Sequence, residues 1–165
     1  MIVRAQAVSV VVRLASVEDA PVVTDVLRRS ISQLCAQDHH NDPESLELWL
    51  KNKTVPTVRA WFESPKLFCV VACIDGVASG SAAMNAEGEV LLCYVDPAAR
   101  FQGVSAAMLL ALERQAQNRG LAEIRLSSTI TAKRFYQERG YVAIGVPKEM
   151  FRRVAGIPMV KRLAL

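Results

Sequence analysis

Val95-Asp-Pro-Ala-Ala-Arg100-Phe-Gln-Gly103-Val-Ser-Ala-Ala-Met108 joins two kinds of periodicity. Before it, Glu89 to Val95 is an apolar run of strand length. After it, Val104, Met108, Ala111 and Leu112 recur at helical spacing up to Arg119-Gly120, a cation followed by a glycine stop. A strand that turns tightly into a helix leaves the first helical N–H groups without partners and aims them at the turn, where an anion can take them. Arg100 can add charge-assisted bonds, and Gly103 lets the backbone approach a ligand closely. The loop has too few glycines for a dinucleotide fingerprint and lacks the lysine of a P-loop.

Upstream, Val8 to Leu14 reads as a first strand, followed by Ser16 as a helix cap with Glu18 and Asp19 in the first turn. Val23, Val26, Leu27, Ile31 and Leu34 keep helical spacing, while Pro21 leaves open whether that helix starts at Ser16 or later. A polar stretch, Gln37 to Asp42, reads as a loop. Asp42-Pro43 then starts a second helix, and Thr54 to Phe62 adds a short helical piece. Leu67 to Ile74, the turn Asp75-Gly76, Val77 to Met84, the turn Asn85 to Gly88 and Glu89 to Val95 form an antiparallel meander. Downstream come a strand at Leu121 to Leu126, a helix at Ala132 to Arg139, a strand at Tyr141 to Ile144 and a last strand at Ile157 to Leu163. The strands on either side of the Gly103 helix need a crossover, so they run parallel. The expected fold is α/β (α+β in some schemes): a mixed, mostly antiparallel sheet of about seven strands with a central parallel pair, flanked by about four helices.

The chain has 165 residues, of which 52% are hydrophobic and 22% charged, enough apolar material for one real core. A single domain is expected over residues 8–165, with 1–7 as a loose leader. No apolar run approaches membrane-spanning length, and no secretory signal is evident, so a cytoplasmic protein without a membrane partner is expected. The four cysteines lie among apolar neighbours and read as reduced core thiols. Cys35, His39 and His40 match no zinc spacing, and no metal is expected. The net charge of +4 suits an anionic ligand, but the basic residues are scattered, so no nucleic-acid partner is expected.

Arg100-Phe-Gln-Gly103-Val-Ser105 fits Arg/Gln-x-x-Gly-x-Gly/Ala, with serine in the last place. Ser128-Thr-Ile-Thr-Ala-Lys-Arg-Phe-Tyr136-Gln-Glu-Arg-Gly-Tyr141 carries a second pattern, Ala-x-x-Phe-Tyr-x-x-x-Gly-Phe/Tyr. Together they resemble the GCN5-related N-acetyltransferases, the GNAT superfamily. The resemblance implies that Arg100, Gln102, Gly103, Val104, Ser105 and Ala106 hold the pyrophosphate of acetyl-coenzyme A. It also implies that the backbone of Cys93, Tyr94 and Val95 meets its pantetheine arm. Thr129 is implied as a further cofactor contact, standing where many members carry asparagine. Tyr136 is expected near the thioester sulfur, hydrogen-bonding the leaving thiolate. Phenol and thiol reference pKa values differ by about 1.5, which makes full proton donation uphill by about 2 kcal/mol. Glu89 is placed like the catalytic glutamate of the histone-acetylating branch and is the first candidate for the base. Asp38 and His39 are its rivals, in the loop where the family builds its acceptor pocket. Pro147 to Gly156 is a second candidate acceptor segment. The implied reaction is direct transfer of acetyl to a small-molecule or peptide amine, rather than passage through a thioester on Cys93. The alternative is a catalytically silent acyl-CoA-binding module. Homodimers are common in the family, and no residue here specifies one.

Overall fold

A computed structural model describes residues 7–164 of the chain. The expected leader falls outside the described residues except for Ala7, which has no regular structure. The elements run β1 (Val10–Leu14), α1 (Ala20–Leu34), α2 (Ala36–His39), α3 (Pro43–Leu50), α4 (Val55–Glu63), β2 (Leu67–Ile74), β3 (Val77–Asn85) and β4 (Glu89–Val95). Then follow α5 (Val104–Asn118), β5 (Glu123–Ser128), α6 (Lys133–Gln137), β6 (Val142–Ala143), β7 (Lys148–Phe151) and β8 (Val154–Arg162). The sheet order is β1-β2-β3-β4-β5-β8-β6, with β7 added onto β8. Every pairing is antiparallel except β4 with β5.

The fold class is as expected, and the differences are local. A single-turn 3-10 helix, Val17–Asp19, precedes α1, so the α-helix starts at Ala20 and Pro21 occupies its first turn. The N–H that proline lacks is one that a helix start cannot satisfy anyway, which removes the conflict. Asp19 accepts from Ser16 N at 2.8 Å and takes both Arg13 guanidinium nitrogens at 2.7 and 2.8 Å, tying β1 to this entry. The polar stretch after α1 is not all loop, because Ala36–His39 forms a helical turn closed by His40 and Asn41, both at φ 53°. An eighth strand, β7, forms within the 147–156 segment, for which the sequence suggests no strand, and β8 starts at Val154 rather than Ile157. Short polar hairpins carry too weak an alternation to be seen in sequence. The Phe-Tyr helix is also shorter than expected, ending in the Gly140 turn at φ 90°.

Both faces of the sheet are covered, which explains the near-continuous apolar run of β2. Val70 and Ala72 face α5 and pack with Met84, Met108 and Leu112, while Val71 and Cys73 face α1 and α4 with Val23, Leu27 and Val58. A third cluster lies under α3, where Trp49 packs with Ile31, Cys35 and Val154.

Two irregularities of β4 position the site. Parallel pairing with β5 covers only Glu89↔Arg125 and Val90↔Leu126, and then the strands separate. On its other edge, Ala83 faces Leu92 while Met84 faces Val90, so Leu91 is an extra residue in a β-bulge. The bulge bends β4 away from β5 and leaves one edge of Leu91 to Val95 without a strand partner.

Candidate active site

A cavity of about 650 Å³ occupies this opening. It is lined by β4 from Val90 to Val95, the 99–106 turn into α5, the 129–139 segment around α6, the end of α1, and Met150 of β7. The two sequence motifs, far apart in the chain, therefore share one space.

The turn into α5 is held from behind. Asp96 ends β4, accepts from Ala98 N at 2.9 Å and takes Arg29 of α1 through a bidentate ion pair at 2.9 and 2.8 Å. Gly103 lies at φ 82°, a conformation that disfavours any side chain. The first helical backbone bond of α5 runs from Ala107 N to Gly103 O at 3.0 Å, so Val104, Ser105 and Ala106 have amides with no helical acceptor. Arg100, Gly103, Val104, Ser105 and Ala106 all line the cavity. Gln102 does not, and its side-chain amide turns back toward Ala98 O at 3.4 Å.

Phe101 lines the cavity mouth and is 93% exposed. The Arg100 guanidinium lies 4.6 Å from its ring centroid. Its backbone sits at φ 61°, where a non-glycine residue loses about 1–2 kcal/mol. Glycine would escape that cost but loses more chain entropy, about 0.5–1 kcal/mol. Phe101→Gly is therefore expected to leave stability unchanged or to raise it by up to about 1.5 kcal/mol, read by urea denaturation.

On the other side of the gap, Tyr136 projects from α6. It is buried and lines the cavity together with Cys93. Its backbone carbonyl accepts from Arg139 N at 3.0 Å and Tyr141 N at 3.1 Å, so the Gly140 turn fixes its position. Its ring packs edge-on against Phe135 and Tyr141, with centroids 5.1 and 5.6 Å away. Burial, and then the neighbouring Cys93 thiol, push the Tyr136 phenol well above its ordinary range, so it stays protonated. Burial likewise pushes the Cys93 thiol up to about 12, which leaves it a poor nucleophile. Thr129 lines the cavity, and its Oγ1 accepts from Ala132 N at 3.1 Å, capping the entry to α6.

The structure does not bring the remaining site candidates into the cavity. Glu89 is exposed at the hairpin end, where its carboxylate accepts from Asn85 Nδ2 at 3.2 Å. Asp38 and His39, expected in an open loop, are buried in α2 because that loop is helical and packs under the 129–131 turn. Asp38 accepts from Ile130 N at 2.6 Å and from the Thr131 hydroxyl, which anchors the start of the Phe-Tyr segment. His39 has both ring nitrogens in use, with Nε2 3.2 Å from Ile31 O and Nδ1 accepting from Asn41 N at 3.1 Å. Sequence reasoning missed Ser30 and Leu34 of α1, both in the lining. Ser30 had one readable signal: it sits at the 23-26/27-30-34 spacing of the apolar stripe. Met150 had none, since its hairpin went unseen.

A strand pair that opens over a helix start able to hold phosphate, with a protonated phenol in the gap, defines an acyl-transferase type of site. The family model of the acetyltransferase (GNAT) domain matches residues 37–163, and the chain belongs to this family. A GCN5-related N-acetyltransferase structure from Rhodopseudomonas palustris is similar over 93% of this chain and 95% of its own, at 26% identity and a TM-score of 0.83. One from Kribbella flavida is similar over 93% and 98%, at 25% identity and a TM-score of 0.71. The PaiA N-acetyltransferase of Thermoplasma acidophilum, solved in complex with coenzyme A, shares the fold at 18% identity over 93% and 99%, with a TM-score of 0.77. No curated protein matches the chain significantly.

Proposed function

We propose that the protein transfers acetyl from acetyl-coenzyme A to an amine by direct attack in a ternary complex. The observation that carries this reading is one cavity holding the free amides of Val104, Ser105 and Ala106, the unpartnered edge of β4 and the Tyr136 phenol. The residues fit that donor. The α5 amides and Arg100 suit its pyrophosphate, and the open edge of Cys93 to Val95 suits the amide-bearing pantetheine arm. The bound donor supplies a thioester carbonyl activated for attack.

The chain's own groups do the rest. A β4 amide at or beyond the Leu91 bulge is placed to polarise the carbonyl oxygen, a role that is worth most when the donor is fixed and dry. Tyr136 donates a hydrogen bond to the sulfur as the carbon–sulfur bond breaks and the electron pair leaves with it. The amine's lone pair forms the new carbon–nitrogen bond, and the proton it sheds ends on the thiolate or in water. Glu89, exposed and outside the lining, is not given the base role in this scheme. Among the described residues no helix is long and apolar enough to cross a membrane, and four free cysteines suit a reducing cytoplasm.

Isothermal calorimetry with acetyl-coenzyme A tests the binding half of the proposal. Gly103→Val, which puts a branched side chain at a positive φ beside the phosphate site, is expected to weaken binding at least about tenfold. Absence of binding to the native protein at millimolar ligand would sink the reading. Binding without thiol release over an amine panel would leave the silent module.

A further inference from the structure

The cavity has two unlike walls. The phosphate-loop and α6 side carries every cation of the described lining, Arg100, Arg134 and Arg139. Its one carboxylate, Glu138, is half exposed and already paired with Arg134 at 2.9 Å. The wall facing α1 carries no charge: it is built from Ser30, Leu34, Cys35, Leu92, Tyr94 and Met150. Asp38 lies behind that wall with its carboxylate spent on Ile130 N and Thr131.

Two hydroxyls on the uncharged wall keep unused hydrogen-bonding capacity. Ser30 is 3% exposed and lines the cavity; its hydroxyl bonds to no described residue, and since no fully buried side-chain polar atom among the described residues lacks a partner, it keeps its access on the cavity side. The Tyr94 hydroxyl accepts from Trp49 Nε1 at 3.0 Å, so its lone pair is engaged and its own proton is left to give.

On the acetyl-transfer reading above, we infer that the acceptor is an α-amino group followed by an amide carbonyl, with an apolar side chain, and not a polyamine or a lysine side chain. A polycation would face arginines and find no free carboxylate. The carbonyl oxygen takes the protons of Tyr94 and Ser30, and the apolar side chain lies on Leu34, Leu92 and Met150. The same class follows from protonation. The described lining holds no histidine and no unpaired carboxylate, so the amine must arrive already neutral. At pH 7 an α-amino group of pKa about 7.7–8.0 is neutral in roughly one molecule in ten, an ε-amine of pKa about 10.4 in about one in 2,500, a ratio of about 300.

The test is thiol release at pH 7 with leucine amide, the tripeptide Leu-Gly-Gly, spermidine and N-acetyl-lysine amide. The first two are expected to exceed the last two at least about 100-fold in kcat/KM, and the better of the first pair tells a small amide from a peptide N-terminus. Ser30→Ala and Tyr94→Phe are each expected to raise the acceptor KM about three- to tenfold, with the acetyl-coenzyme A KM unchanged. Serine 30 keeps the test intact if the tyrosine variant unfolds. A polyamine or lysine side chain acetylated as fast as leucine amide overturns the inference. So does a Ser30→Ala effect on the acetyl-coenzyme A KM instead of the acceptor KM, or donor binding with none of the four acetylated. Loss of donor binding itself would instead strike the acetyl-transfer reading.

Discussion

Tyr136→Phe is expected to lower kcat about 100-fold while leaving the KM for acetyl-coenzyme A within about twofold. The phenylalanine ring keeps the edge-on packing against Phe135 and Tyr141, so the fold and the cavity shape persist. On the proposed mechanism, what is lost is a hydrogen-bond donor at the sulfur, and positioned donors and acids of this kind contribute about 10²–10⁴ to rate. The phenol is held protonated by burial, so it acts by hydrogen bonding and the rate shows no alkaline fall from its ionisation below about pH 10. Steady-state kinetics beside a thermal melt separate the two effects. A kcat within threefold of the native enzyme, with an unchanged melt, would reduce Tyr136 to a packing residue.

Trp49→Ala is expected to cost about 3–5 kcal/mol of stability, the range for removing a buried aromatic side chain. Trp49 is 1% exposed, stacks on Phe151 at 5.6 Å between centroids and touches His39 edge-on at 6.4 Å. It thereby binds α2, α3 and the β7–β8 hairpin into one unit, and its indole N–H fixes the Tyr94 hydroxyl. For a domain of this size the loss corresponds to a fall in Tm of about 6–20 °C. Urea denaturation checks the magnitude. A loss below 1 kcal/mol would mean that this unit is not packed through the indole.

The parts of the site that could be read in sequence are those in which backbone direction carries the function. The strand-to-helix junction at Val95–Met108 puts Gly103 and the α5 amides in place by local geometry alone, and a second local pattern places Tyr136 one turn before Gly140. The residues expected on the acceptor side could not be read in the same way. Asp38 and His39 sit in a polar stretch, where polarity usually means solvent, yet here one turn of helix lets both satisfy buried partners. Glu89 matched by position in its strand, but its exposure was set by the Asn85 turn, which holds it at the hairpin end.

Alternation, helical spacing and the glycine turns, all short-range, were enough to determine the meander, the parallel crossover and the tight turn that starts α5 with free amides. Tertiary structure alone decided how far β4 stays paired with β5, that Leu91 bulges, and that α1 and β7 close the cavity with Ser30, Leu34 and Met150. Those choices depend on packing between segments distant in the chain, and such packing leaves no periodic trace in any one of them.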